Sequence, residues 1–302
     1  MATRLRISTR GSALALRQVE LVVEALRAAH PEVEVEVLTV RTTGDRNQVD
    51  RIASLGDGVF VRGVEAELLA GEADVAVHSA KDMPTGETPG LVVAAYPERA
   101  DPRDVLVSRD GRTFAELPPG ARLGTGSPRR EAIARALRPD LDVQPVRGNV
   151  DTRLRKLRAG EYDALVLAAA GLDRLGLAGE VTEWLDPETW VPAAGQGVLA
   201  VQCRAGTQAE RLLAALDHAA TRAAITAERA VLRRLGSGCR TPVGAFARVQ
   251  DGTLTLHAVL VEPDGSALSA ATLTGPPEGA DAIGTATAVR LIEAAARRGS
   301  AG

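Results

Sequence analysis

The chain has 302 residues, enough for two or three domains with cores of their own, and its 45% hydrophobic and 25% charged content is that of a folded globular protein rather than a disordered one. A net charge of -3 and an aromatic content of 2% argue against a nucleic-acid binder, and no apolar run reaches the length of a membrane helix. Two cysteines cannot build a disulfide framework or a four-cysteine zinc site, and the first residues show no long apolar segment after their charges; no metal, no membrane and a cytoplasmic location are expected.

Along the chain, residues 4–9 read as a first strand, and Ser12 caps a helix with the apolar stripe Leu14, Leu16, Val19, Val22, Val23 and Leu26. Alternating Val and Glu over 33–37 predicts a half-exposed strand. A helix over 61–70 ends at Gly71, and strands follow at 75–77 and 91–95. The charged, proline-containing stretch 97–104 suits a crossover. A second alternating unit then begins. Residues 122–125 are strand-like, and Ser127-Pro128 reads as cap and first residue of a helix through Leu137. Strand 142–146, helix 150–157, Gly160 and strand 164–168 complete it. Strands alternating with helices predict two mainly parallel α/β lobes. From Gln208 the pattern changes: a helical region over 209–235 with a break near Thr221, then strands 246–249 and 253–259 around the hairpin signal Asp251-Gly252, a turn at Pro263-Asp264-Gly265, and a last helix over 280–298.

All but two of the 36 basic residues are arginine, Lys81 and Lys156 being the exceptions. Genome base composition explains most of that bias. The placement of the arginines is more informative. Arg10 and Arg147 each follow a strand, Arg129 and Arg130 stand in the first turn of a helix, and Arg153 lies in another. Ligands of open α/β sheets bind beyond the carboxyl ends of the strands, where helix N-termini favour anions. A helix N-terminus repels positive side chains, a local penalty that a bound anion would remove. Guanidinium forks match carboxylate or phosphate at about 1.5–3 kcal/mol per charge-assisted bond. No phosphate-loop or dinucleotide signature is present, so several carboxylates are the better guess.

Lys81-Asp82 stands just past the strand at 75–77. A carboxylate there could stabilise a cation or relay a proton; it could equally be a turn aspartate capping the next segment. His78 reads as a packed or capping histidine. Cys203, in an apolar run, reads as a buried and inert strand residue. Cys239 sits in a glycine-rich loop beside Arg240, and position alone leaves a reactive thiol and an idle one evenly matched.

The ordered motifs TRGSALA at 9–15, ADVAVHSAKD at 73–82, DPRD at 101–104, GTGSPRR at 124–130, VRGNVDTR at 146–153, PAAGQG at 192–197 and GSGCRTPVG at 236–244 resemble the porphobilinogen deaminase family over almost the whole chain. The resemblance implies two α/β domains like those of periplasmic binding proteins plus a small α+β C-terminal domain: 1–97 with 198–215, 103–191, and 216–302. It implies a transferase of tetrapyrrole biosynthesis that condenses porphobilinogen units head to tail with loss of ammonia; with no obvious interface stripe in the sequence, a monomer is expected. A dipyrromethane cofactor would be held by a thioether to Cys239. Asp82 would stabilise positive charge on the pyrroles. Lys81, Ser79, Thr125, Ser127, Arg129, Arg130, Asn149 and Gln196 match cofactor-binding positions, and Arg10, Ser12, Arg147, Arg153 and Arg174 substrate-binding ones.

Each pyrrole brings two carboxylates, so a growing chain needs an arginine-lined cleft, and a tether turns each addition into a reaction of held partners. The chain departs from the family at 54–62, where Ser54 and Asp57 stand at lysine positions in a shortened loop, and at Gly126 and Pro128, where Ser and Leu are commoner. A non-catalytic anion binder and a cysteine hydrolase are the rival readings. The first would carry no covalent adduct, and the second needs a histidine near Cys239.

Overall fold

The structure, a computed structural model, describes residues 4–40, 59–236 and 241–299. In chain order the elements are β1 (Arg4–Arg10), α1 (Ala13–Ala29), β2 (Glu34–Val40), α2 (Val59–Ala70), β3 (Val75–Ser79), β4 (Leu91–Ala95), β5 (Asp104–Ser108), β6 (Arg122–Thr125), α3 (Pro128–Leu137), β7 (Asp142–Pro145), α4 (Val150–Arg158), β8 (Ala164–Ala168) and α5 (Ala169–Arg174). They continue with β9 (Glu183–Trp184), β10 (Leu199–Arg204), α6 (Gln208–Leu213), α7 (Ala219–Leu235), β11 (Val243–Gln250), β12 (Thr253–Val261), β13 (Leu268–Gly275) and α8 (Ala280–Gly299).

Two compact units divide the chain: Met1–Arg99 with Val198–Arg222, and Ala100–Gly197 with Ala223–Gly302. The first holds a five-stranded sheet of order β2-β1-β3-β10-β4, parallel except for β10. The second holds a sheet of order β7-β6-β8-β5-β9, parallel except for β5. Each antiparallel strand is the first one formed after the chain passes from one unit to the other. The expected mainly parallel lobes are thus mixed by one strand each, and β5 carries no alternation signal because it is buried on both faces.

The two lobes repeat one sequence device. Residues 71–80, GEADVAVHSA, and 160–169, GEYDALVLAA, each place an aspartate just before a central strand of their lobe, β3 in the first and β8 in the second. In the first, Asp74 Oδ2 accepts from Arg6 N at 2.9 Å and Arg6 Nε at 3.1 Å. In the second, Asp163 Oδ2 accepts from Arg122 N at 2.9 Å and Arg122 Nε at 3.1 Å. The clamp sets the register of β1 on β3 and of β6 on β8. Gly71 and Gly160, at φ +74° and +76°, end the preceding helices as predicted.

The core of the first lobe gathers Ile7, Val19, Val22, Leu26, Val75, Val77 and Val201. Leu14 and Leu16 are only half-buried; Gln18 takes the inward place instead. The second unit also contains the antiparallel sheet β11-β12-β13, covered by α7 and α8 around Val231, Leu254, Leu256 and Leu291. Asp251 and Gly252, at φ 49° and 73°, make the tight turn that their sequence announces. The helical break falls at Asp217-His218 rather than Thr221, since buried Thr221 accepts a bond from Arg99 N at 3.2 Å and pairs with His218 inside the first turn of α7. The third strand of this sheet, β13, has no counterpart in the sequence reading.

Candidate active site

In the first unit, β1 and β3 end beside the start of α1. Ser12 caps that helix, its Oγ accepting from Ala15 N at 3.3 Å. Ser79 Oγ accepts from Gln18 Nε2 at 2.9 Å, which explains the burial of a glutamine on the inward face of α1. Beyond Ser79 a single tight turn, Ala80–Asp82, closes with Met83 N donating to Ala80 O at 3.2 Å. Thr9, Arg10, Gln18, His78, Ser79 and Asp82 line one cleft there. Thr9 Oγ1 is buried with no hydrogen-bond partner among the described residues. Asp82 is exposed, and among the described residues its carboxylate makes neither a hydrogen bond nor an ion pair. It caps nothing. Lys81, next to it, is half-buried.

His78 is buried and neutral. Its Nε2 lies 3.0 Å from Gln202 Oε1, and Gln202 Nε2 donates to Glu65 Oε1 at 2.9 Å, so the glutamine amide is oriented and the histidine is the donor. Burial holds the imidazole below its usual pKa against the pull of Gln202, Glu65 and Asp82. This is a packed histidine, as its sequence context suggests. Cys203 lies fully buried in β10, and burial pushes its thiol up to about 11, so it is inert.

In the second unit the arginines meet an anion of the protein's own. Ser127 caps α3, Oγ accepting from Arg130 N at 3.4 Å, and Thr125 Oγ1 accepts from Ser127 N at 3.2 Å. Arg129 and Arg130 then turn inward, both buried, onto Asp104, which is fully buried at the start of β5. Arg129 Nη2 lies 2.8 Å from Asp104 Oδ2, and Arg130 Nη2 lies 2.8 Å from Oδ1. The penalty expected of cations at this helix start is therefore offset from inside the protein. Burial opposes the charge on Asp104, but Arg129 and Arg130 overcome it and draw its pKa down to about 2. Gln196 is also buried: its Nε2 donates to Asp104 Oδ1 and to Pro102 O, both at 2.7 Å.

Around this pair stand further cations. Arg147 is exposed directly after β7, and Asn149 is the backbone cap of α4. Arg153 Nε donates to Gly148 O at 2.8 Å; Gly148 is at φ +108°, and a Cβ there would sit 2.6 Å from Thr152 Cγ2. Burial first, then the charges of Arg130 and Arg147, pull the Arg153 pKa down to about 10. Arg174 Nη2 donates to Gly197 O at 2.7 Å, and burial lowers its pKa too.

Of the expected residues, the structure brings Arg10, Ser12, Ser79, Lys81 and Asp82 together in one unit, and Thr125, Ser127, Arg129, Arg130 and Gln196 in the other. Cys239 lies outside the described residues, as does the start of the 54–62 loop. Asp104 was not anticipated as a partner of the arginines. The available signal was a carboxylate opening the wholly apolar run Val105-Leu106-Val107, where a buried charge demands an opposite one. No helix among the described residues is long and apolar enough to cross a membrane.

Two family models match the chain: porphobilinogen deaminase, dipyrromethane cofactor binding domain, over residues 5–212, and porphobilinogen deaminase, C-terminal domain, over residues 222–293. The porphobilinogen deaminase of Acidothermus cellulolyticus is 52% identical, with 97% of this chain and 89% of that protein covered. That of Roseiflexus castenholzii is 49% identical, with 97% of each covered. Among solved structures, a TRAP periplasmic solute binding protein from Desulfovibrio salexigens is similar with a TM-score of 0.44 at 12% identity, covering 72% of this chain and 73% of the other.

Proposed function

Because this chain belongs to the porphobilinogen deaminase family, we propose that it is a transferase with Asp82 of the first unit as the catalytic acid and the arginines of the second unit as the hold on carboxylates. The protein is a transferase that joins porphobilinogen units head to tail with loss of ammonia, giving hydroxymethylbilane for tetrapyrrole biosynthesis, and its cofactor is dipyrromethane. The cofactor supplies a covalently held end on which substrate units are joined.

The residues present suit such a group. Arg129 and Arg130 share one buried carboxylate, Asp104, while Arg153 feels the charges of Arg130 and Arg147, so this group of side chains carries a surplus of guanidinium charge. That surplus is the observation that carries the reading, since a nest of repelling cations is stable only with anions to fill it. Cys239 is the attachment point; Arg10, Ser12, Ser79, Lys81, Thr125, Ser127, Asn149, Gln196 and Arg174 complete the binding set. The unpaired carboxylate of Asp82 is placed to stabilise positive charge on a pyrrole and to move the proton as ammonia departs. The protein works as a cytoplasmic monomer without nucleic-acid or membrane partners, in three domains: 1–97 with 198–215, 103–191, and 216–302.

Intact mass of freshly purified protein tests this. The expected mass exceeds the polypeptide by one dipyrromethane, mapped by peptide digestion to Cys239. A bare polypeptide mass in active material refutes the tether, and a bare mass in material without turnover favours a non-catalytic binder.

A further inference from the structure

Of the second unit's two fully buried carboxylates among the described residues, Glu228 accepts from backbone N–H groups of Gly195 and Ala247, and Asp104 meets the arginines; the two oxygens of Asp104 are used unequally. Oδ1 accepts from Arg130 Nε at 3.0 Å, Arg130 Nη2 at 2.8 Å and Gln196 Nε2 at 2.7 Å. Arg130 completes its set with Nη1 to Val166 O at 3.1 Å and Nη2 to Gln196 Oε1 at 3.2 Å. Among the described residues Oδ2 has only the 2.8 Å charge contact with Arg129 Nη2, which is too poorly aimed to count as a hydrogen bond. Arg129 donates Nη1 to Val191 O at 2.6 Å, while its buried Nε has no partner among the described residues. Arg130 is held by four side-chain hydrogen bonds. Arg129 is held by one hydrogen bond and by charge.

Two buried guanidiniums on one buried carboxylate leave one positive charge uncancelled, and mutual repulsion would drive the two side chains apart without the anion between them. Arg153 feels that surplus, since Arg130 and Arg147 both disfavour its own charge. A ligand carboxylate entering beside Arg153 meets the same field with the opposite sign. We infer that Asp104 is a positioning residue for carboxylate recognition: it locks Arg129 and Arg130, with Gln196, into a buried platform of fixed place and net charge beneath Arg147 and Arg153. The inference rests on the reading that this unit binds pyrrole carboxylates, and it adds the group that sets the geometry of that binding. Asp104 itself touches no ligand in this account. It acts through the arginines.

The test compares wild type, Asp104→Asn and Gln196→Leu as purified full-length proteins. Three quantities are read: the fraction carrying the dipyrromethane mass, the melting temperature, and KM and kcat for porphobilinogen on the loaded fraction. Asp104→Asn is expected to cut the loaded fraction below half and to raise KM tenfold or more, with kcat changed less than threefold. Gln196→Leu removes one of the three donors to Oδ1; it is expected to raise KM a few-fold, and it decides the matter if Asp104→Asn does not fold. Full loading with KM within twofold of wild type overturns the inference, as does a loss confined to melting temperature or to kcat. A wild type without the added mass fails the functional reading instead, so the two failures are distinct.

Discussion

Replacing Asp82 by asparagine removes one charge and keeps the shape, and the structure sets what that should cost. The side chain is exposed at the end of its turn, with no hydrogen bond or ion pair among the described residues. A surface change of that kind moves stability by no more than about 0.5 kcal/mol, or ~1–2 °C in melting temperature for a chain of this size. A general acid–base or charge-stabilising group contributes ~10²–10⁴ in rate, roughly 2.7–5.5 kcal/mol of transition-state energy. The expected signature is therefore an unchanged melting curve with a rate at least a hundredfold lower. Because assembly of the cofactor can draw on the same carboxylate, the rate is measured as hydroxymethylbilane formed per loaded molecule, with loading counted by intact mass. A rate within about tenfold of wild type, ~1.4 kcal/mol, refutes the assignment of Asp82. A melting temperature lowered by many degrees refutes it differently, by showing that the carboxylate was a structural partner.

Cys239→Ser should give a folded protein of bare polypeptide mass without turnover; normal turnover would exclude the tether. Asp104, drawn down to about 2 from 3.8, binds fewer protons folded than unfolded, so it adds on the order of 2 kcal/mol that is complete above pH ~3.8 and lost as pH falls through about 2. Acid unfolding of wild type and Asp104→Asn should converge in that window, and parallel curves would contradict it. His78 runs the other way from a salt-bridged histidine: burial depresses its pKa below 6.5, so the unfolded chain takes up the proton first and stability falls as pH drops below that value. His78→Gln should flatten the slope of melting temperature against pH in that range, and an unchanged slope would show that His78 does not cause it. Gly197→Ala should lower the melting temperature by several degrees, because Gly197 sits at φ +84° and an added Cβ would collide with Ala100 O; an unshifted melt would mean that the loop yields.

Local chemistry was readable wherever a short stretch decides its own conformation. Ser12 and Ser127 cap their helices, Gly71 and Gly160 end others in the left-handed region, and Asp251-Gly252 turns the hairpin. The inertness of Cys203 followed from its apolar neighbours, and His78 is packed, one of the two states its sequence position allowed. Strands without a period-two pattern were harder. β5 and β9 passed unread, because burial on both faces or a two-residue length leaves no alternation to see; β13 alternates in exposure, but its small and polar residues, LSAATLTG, carry little hydrophobic contrast.

By itself the order of residues determined the alternation of strands and helices, the two lobes, the carboxylate and arginines presented at strand ends, and, through motifs in series, the family. The tertiary structure alone decided what neutralises those arginines. Asp104 and Arg130 stand 26 residues apart, and Asp104 and Gln196 92 apart. Caps and turns are settled by hydrogen bonds that span three or four residues. A buried charge takes its partner from whichever strand the sheet lays beside it, and in this fold that strand, β5, runs against its neighbours and is the first strand of the second unit.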